Sequence, residues 1–494
     1  MIGELSLLHL FIALPLVAAA AVSLGASGRG LGLISSIGTL VVFGVVFYQA
    51  QDPGVFAESA FAFGQSLSIW PQFGFSYAVG VDGLSLAMLG LTSLVSVAVF
   101  AMANPPDQKR RLYYVCLLLI SAGCFGAFVS TDLFFFYAFH ELALIPTFLL
   151  IGMFGSGQRE EAAWRTTVYL GIGSFVLLLG LIALILQLPV ESRTLDMTQL
   201  VAGQNALVEI APEAQGWVFL LLLVGFGSLV SLVPFHSWAA PAYASAPRPA
   251  AMLHAGVLKK FGLYGLIRLA LPLLPEGFEQ YTGLLLGLLV ANILYMGFVT
   301  LAQKRLDTML GASSVMHMGY IFLGLAAMNE LGLGGAILLM VAHGITVALL
   351  FGLVSAIEER GGSLDFAKSG GLAKTFPVLG LVFGIAAFAS IGLPGLGNFS
   401  GEVLVFMGAF SQGFDPAIGF GALQWATVAG VFGVLISATY MLRAYRACFL
   451  GEPGSVKPTG KKDLRGRALT GAGLLVLALL ILGFAPVVLT RLIF

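Results

Sequence analysis

The chain has 494 residues, of which 59% are hydrophobic and 10% charged; it carries no net charge and its mean hydropathy is +0.98. A water-soluble domain carries about 25% charged residues, so the composition excludes a soluble core and defines an integral membrane protein. The charge balance also argues against a nucleic-acid partner.

The opening stretch, MIGELSLLHLFIALPLVAAAAVSLG, lacks the basic segment of a signal peptide and reads as a first spanning helix. With about 20 apolar residues needed per crossing, the sequence predicts an all-α integral membrane fold of about 14 transmembrane helices. They lie near 5–24, 31–49, 82–103, 112–129, 132–154, 166–188, 216–238, 248–272, 280–301, 308–327, 331–357, 375–410, 424–447 and 468–490. Segment 51–81 is a longer polar-aromatic connection ending in GVDGLSL, and 189–215 is a second, with room for a hairpin or short helix outside the membrane. Cys116, Cys124 and Cys448 lie in or near apolar runs without metal-ligand spacing and read as packing residues.

Loop charges divide by parity. Loops after odd-numbered spans hold Arg29, Lys109, Arg110, Arg111, Arg159, Lys304, Arg305, Arg360, Lys368, Lys374 and the run Lys457 to Arg467. Loops after even-numbered spans hold Arg193 and otherwise acids such as Glu191, Glu209, Glu213, Glu276, Glu279 and Asp415. The excess of Lys and Arg on cytoplasmic loops then places the odd loops in the cytoplasm and both termini on the other side.

Span seven is interrupted at Leu232-Val233-Pro234 and span twelve at Gly392 to Gly397, five spans later. Matching broken helices point to two inverted five-helix repeats with sites beside the breaks. The predicted organisation is helices 1–3 in residues 1–111, a first repeat (helices 4–8) in 112–272, a second (helices 9–13) in 273–447, and a basic loop with helix 14 in 448–494.

Ionisable residues inside spans are costly, roughly 2.5–3.5 kcal/mol each for Arg, Lys or Asp on insertion scales, and so mark function. Glu141 falls well inside span five. Desolvation disfavours its charge and a nearby cation favours it, so the two opposed effects bring both protonation states within reach. His140 is expected to point off the glutamate's face. In span eight, Lys259 and Lys260 diverge by about 100° around the helix, so one can face a buried path while the other snorkels to an interface; Lys260 is the expected inward residue. His254 lies six residues earlier, on a compatible slanted face. His236 follows the first break and can either cap the resumed helix or carry protons. His317, His343 and Glu402, on spans ten, eleven and twelve, complete a polar axis: Glu141, then Lys260 with His254, then His317 and His343, then Glu402. Histidine suits such a relay because its ordinary titration lies at about pH 6.5. No HExxH, CxxC, GxGxxG or P-loop occurs, so no metal or cofactor site is expected in this chain.

The segments FHELALIPTFLLIG, LVPFHSW, AGVLKKFGLYGLIR, SSVMHMGY, VAHG and GLPGLGNFSGE resemble the antiporter-like membrane subunits of respiratory complex I, the proton-pumping NADH-quinone oxidoreductase, most of all its chain 4, or subunit M. The wider family includes Mrp-type cation/proton antiporter subunits and membrane subunits of energy-converting hydrogenases, which are the alternative readings. The resemblance implies 14 helices, two inverted repeats and one proton per cycle through a relay of Glu141, Lys260, His317, His343 and Glu402, as part of a translocase in a bacterial cytoplasmic membrane. It implies neighbouring antiporter-like and small membrane subunits as partners, with NAD, FMN, iron–sulphur clusters and quinone handled by other subunits. One departure stands out. The family usually carries a lysine five residues before the span-seven proline, paired with the span-five glutamate; here that position is Leu229. His140 or His254 is the expected substitute partner for Glu141.

Overall fold

In hydrocarbon every backbone N–H and C=O must be satisfied within the chain, and the sequence meets that demand with helices, some of whose starts are marked by capping side chains. The computed structural model describes residues 6–56, 61–70, 75–202, 210–456 and 462–493. Lys457, Lys461 and Glu209 of the loop-charge pattern lie outside them.

The chain opens with α1 (Leu8–Ser23) and α2 (Gly28–Gln49), the latter capped by Ser27. The connection expected at 51–81 contains an antiparallel hairpin, β1 (Ala62–Trp70) and β2 (Phe75–Val81), with Gln65 opposite Val79 and Leu67 opposite Tyr77. His9 of α1 ties the hairpin down, stacking on Tyr77 and reaching Gln65 Oε1 at 3.0 Å. Next come α3 (Gly83–Met102), α4 (Arg110–Val129), α5 (Leu133–Phe154) and α6 (Arg159–Leu186). Asp82 caps α3 through Ser85 N–H, and Asp132 caps α5 through Phe134 and Phe135 N–H; such a cap is worth about 1 kcal/mol. The second long connection holds the short α7 (Met197–Ala202).

Span seven is two pieces, α8 (Pro212–Val230) and α9 (Ala239–Ser245). Asn292 fills the break: its Oδ1 accepts Val233 N–H at 2.7 Å, and its Nδ2 donates to Val315 O at 3.0 Å and Ser231 O at 3.4 Å. Span eight runs through α10 (Arg248–Leu253), α11 (Lys260–Gly265) and α12 (Leu271–Leu273), joined by π turns at His254–Leu258 and Leu266–Ala270. Arginines clamp both its ends. Arg248 donates to both carboxylate oxygens of Glu358, at 2.8 and 2.6 Å, and to Asp307 at 3.2 Å. Arg268 holds both oxygens of Asp82, at 2.5 and 2.6 Å.

The remaining helices are α13 (Pro275–Ala302), α14 (Leu306–Ala326), α15 (Glu330–Glu359), α16 (Leu372–Thr375), α17 (Pro377–Ile391), α18 (Gly397–Ser411), α19 (Ala422–Phe449), α20 (Arg467–Phe484) and α21 (Val487–Ile493). Span twelve breaks between α17 and α18, where Gly392 and Gly395 adopt the left-handed region at φ 83° and 90°. Each expected span coincides with a helix or a set of helical pieces, and among the described residues 11 helices are individually long and apolar enough to cross a membrane.

Helix pairs five spans apart recur. α4 packs on α5 as α13 packs on α14, and α6 on α8 as α15 on α17. The apolar stretches of α14 and α15 are buried and form the centre, while α2, α5, α6, α13, α19 and α20 expose apolar flanks. α15 and α18 approach closely because Gly335 and Gly401 face each other's helices; a Cβ on Gly335 would fall 2.6 Å from Val405 N. Loops gather by parity. Those around Arg29, Ala103, Arg360 and Arg465 meet at one end, and those around Val79, Ser130, Asp132 and Asp196 at the other.

Candidate functional site

The two consecutive lysines of span eight are both buried, at 1% exposure for Lys259 and 0% for Lys260, so neither snorkels. The π turn before them is the reason. It supplies free carbonyls and turns the two side chains toward different helices. Lys260 Nζ donates to Ala255 O, within the turn, at 2.6 Å and to His343 Nδ1 of α15 at 3.2 Å. Lys259 Nζ instead crosses to α14, donating to Ser314 O at 3.1 Å and lying 5.8 Å from the centre of the Tyr243 ring. Neither ammonium has a carboxylate within ion-pair distance among the described residues.

His343 and His317 follow, their ring centres 5.2 Å apart. The order along the line is therefore Lys260, His343, His317. His317 Nδ1 lies 2.8 Å from Ser313 O, and its Nε2 lies 3.0 Å from Ser390 O, a carbonyl left free where α17 ends at the second break. Both of these are carbonyl oxygens, which only accept, while Ser313 Oγ, which can donate, lies 3.4 Å from the same Nδ1. A neutral ring can donate from Nε2 to Ser390 O and accept at Nδ1 from the serine; the doubly protonated ring donates to both carbonyls. The pocket beside the broken helix accommodates either state. Beyond it, Ser313 Oγ and Tyr440 Oη sit 2.7 Å apart, carrying the polar line to α19.

Glu402 is buried in α18 with its carboxylate packed against Gly392, two residues past Ser390. A Cβ on Gly392 would collide with that carboxylate, and alanine at φ 83° costs about 1–2 kcal/mol of strain. Gly392→Ala is therefore expected to displace Glu402 and lower proton translocation by the assembled complex several-fold. Gly419→Ala carries similar strain at φ 93° with open space around it, and should leave translocation unchanged in the same assay.

Glu141 differs from expectation. Its side chain is 37% exposed. It lies on the outward stripe of α5 that also carries Phe134 and Ile145, both exposed. Ser174 Oγ of α6 donates to its Oε1 in a very short contact and also meets Tyr137 Oη at 3.1 Å. His140 does not point away: its buried ring turns back so that Nδ1 lies 3.4 Å from Glu141 Oε1, while its face stacks on Phe261 at 4.0 Å. Phe261 is the neighbour of Lys260, so this stack joins the glutamate's edge of the bundle to the lysine helix.

His254 Nδ1 contacts Tyr243 Oη at 3.2 Å, and its Nε2, buried, has no partner. His236 does not cap α9, whose first turn receives no side-chain cap; its ring meets Tyr295 edge-on. Leu229 is buried in apolar packing. Sequence reading missed Asn292, Ser174, Tyr137 and Tyr440. Asn292, a lone amide inside an apolar run, carried the clearest signal.

Residues 130–427 match the family described as NADH:quinone oxidoreductase/Mrp antiporter, TM. Chain 4 1 of the NAD(P)H-quinone oxidoreductase of Synechococcus sp. (strain JA-3-3Ab) is 35% identical over 419 residues, covering 84% of this chain and 78% of the relative. Subunit M of the NADH-quinone oxidoreductase of Rickettsia conorii (strain ATCC VR-613 / Malish 7) is 30% identical over 457 residues, 92% of this chain and 88% of the relative. A chain of respiratory complex I from Thermus thermophilus with bound NADH superposes with a TM-score of 0.85 at 30% identity, covering 98% of both chains. The Mrp complex from Dietzia sp. DQ12-45-1b contains a chain of the same fold, with a TM-score of 0.82 at 24% identity over 99% of this chain and 96% of that one. The architecture is that of an antiporter-like membrane subunit. The chain belongs to the NADH:quinone oxidoreductase/Mrp antiporter transmembrane family.

Proposed function

We propose that this chain is a proton-translocating membrane-arm subunit of an NADH-quinone oxidoreductase, seated in a bacterial cytoplasmic membrane with both termini on the non-cytoplasmic side. In this reading NADH oxidation, flavin and iron–sulphur chemistry and quinone reduction take place in partner subunits, and this chain only moves protons. The two inverted repeats supply its two halves, 112–272 and 273–447. The observation that carries the reading is the buried line Lys260–His343–His317, ending in a ring held between two carbonyls, one of them freed by the broken span twelve.

The chemistry follows from charge moving along that line. An ammonium at Lys260 can pass a proton to His343 across 3.2 Å. His317 takes it as an imidazolium donating to both carbonyls, and Glu402 beside the break is the terminal acceptor. In the first half, Glu141 is the switch, and His140 takes the place of the lysine that Leu229 lacks. A cation beside the carboxylate keeps it ionised; neutralising that cation lets it take a proton. At about 4 Å and an effective dielectric of about 20 such a contact is worth roughly 4 kcal/mol.

A hydrogen bond to a charged group contributes about 1.5–3 kcal/mol, which is roughly a 10- to 150-fold bias on whether Glu141 is ionised. His140→Phe keeps the stack on Phe261 and removes both nitrogens. It is expected to impair pumping as severely as Glu141→Gln, whereas His254→Phe has a smaller effect. NADH-driven proton uptake into inverted membrane vesicles, with quinone as acceptor, checks this; normal pumping in His140→Phe would remove the histidine from the switch. Purifying the native assembly and identifying its partners tests the wider reading. Flavin and iron–sulphur subunits support it, and small hydrophobic antiporter partners alone would assign the chain to the Mrp branch.

A further inference from the structure

We propose that the end of the bundle around Arg29 binds the headgroup of an anionic phospholipid. Two adjoining cavities, of about 750 and 310 Å³, share Arg29 in their walls. Into the first project Lys109, Arg110 and Arg111; into the second, Arg360, Lys462, Arg465 and Arg467. Three acids stand against these eight cations in the cavity walls. Asp107, fully exposed, pairs with Arg110 at 3.8 Å in the first; the second holds Glu359 and Asp463, the latter already accepting the N–H groups of Val378 and Leu379 that begin α17. Arg29 itself is fixed at the junction, donating from Nε to Tyr114 Oη at 3.1 Å and from Nη2 to Ala103 O at 2.9 Å. Residues far apart in sequence thus converge on one immobilised guanidinium, which scattered cytoplasmic-loop charge does not require.

The apolar surface next to the cavities favours a lipid over a free anion or an acidic peptide. α2 and α20 both pack on α3 and start at this end of the bundle, at Gly28 and Arg467. The apolar flanks they turn outward begin within two turns of Arg29 on α2 and include Ile34 (68% exposed), Ile37 and Val41, with Leu477 and Ile481 on α20. Acyl chains can lie along these flanks while phosphate oxygens reach the cavities. Two cavities joined at one arginine suit a headgroup with two phosphates better than one. The proposal rests on the membrane placement of the chain and is independent of the proton path.

The test uses the assembled complex with a photoreactive p-benzoylphenylalanine replacing Ile34. The complex is delipidated, then exposed to vesicles of phosphatidylcholine alone or with added phosphatidylglycerol or diphosphatidylglycerol. Mass spectrometry of the α2 peptide reads the adduct. An anionic phospholipid adduct is expected, strongest with diphosphatidylglycerol, unaffected by excess inorganic phosphate, and reduced roughly tenfold or more by the Arg111→Ala/Arg465→Ala pair, since each basic residue near an anionic surface is worth about 1 kcal/mol. Phosphatidylcholine adducts at equal yield, no adduct, loss of the adduct to inorganic phosphate, an undiminished adduct in the double variant, or a cross-link to a neighbouring subunit would each overturn the proposal. Neither arginine belongs to the relay, so pumping by the double variant serves as the folding control.

Discussion

Lys260→Met is expected to abolish translocation through this chain while leaving the complex as stable as before. Methionine matches the buried stem in length and bulk, so no large cavity opens. The change removes an ammonium held only by Ala255 O and His343 Nδ1. Burying a charge costs several kcal/mol, and that cost disappears. Against it, two buried polar atoms lose their partner, at about 1–3 kcal/mol each. The opposing effects leave the stability within about 2 kcal/mol of the starting value. Transport has no such compensation, because a thioether carries no proton and His343 loses its only donor among the described residues. The proton yield per NADH should fall, measured as dye quenching in inverted vesicles beside the thermal inactivation midpoint. A sharp loss of thermal stability together with retained pumping would show that the lysine is structural.

The second large effect is on folding. Arg248→Ala should cost about 3–5 kcal/mol, the range for removing one partner of a buried ion pair. Arg248 is buried, bridges Asp307 and Glu358, and also donates to the carbonyls of Tyr243 and Ala244. Without it Asp307, itself buried, keeps Arg305 as its one ion-pair partner and the N–H of Thr308. Loss is expected as a low yield of assembled complex and a lowered inactivation temperature. Arg305→Ala is the contrast. That arginine is about half exposed although its bridge to the buried Asp307 is 2.8 Å long; water screens its charge, and in its absence Asp307 keeps Arg248, so a smaller loss is expected than for Arg248→Ala. Equal losses in the two variants would mean that the Arg305 pair, not the Arg248 clamp, carries the site.

The breaks were legible in the sequence because proline and clustered glycine disrupt an otherwise uninterrupted apolar run. Lys260, His317 and His343 were legible as buried polar residues because a lysine and two histidines stand out inside apolar runs. Rotation about the helix axis was not. Span five is apolar nearly all round, so its periodicity gives no azimuth, and it could not show that Glu141 faces outward or that His140 folds back toward it. The same blindness hid the directions of Lys259 and Lys260, which a π turn decides. The hairpin of β1 and β2 was concealed in a stretch whose mixed polar and aromatic residues do not alternate cleanly. Asp82, Asp307 and Glu358 sit at or near helix ends, and only the tertiary contacts reveal which arginine each one holds.

The lysine-bearing helix is bolted at Arg248 and Arg268 and wound loosely by two π turns, one between the arginines and one around Arg268. Each such turn holds one residue more than regular winding needs. Elsewhere in the bundle, excising a residue would spin the rest of a span by about 100° and scramble every contact below the cut. Here the excision would be taken up by the turn. Among the described residues, span eight is therefore where a codon could be lost at a π turn while the helix beyond it stayed in register.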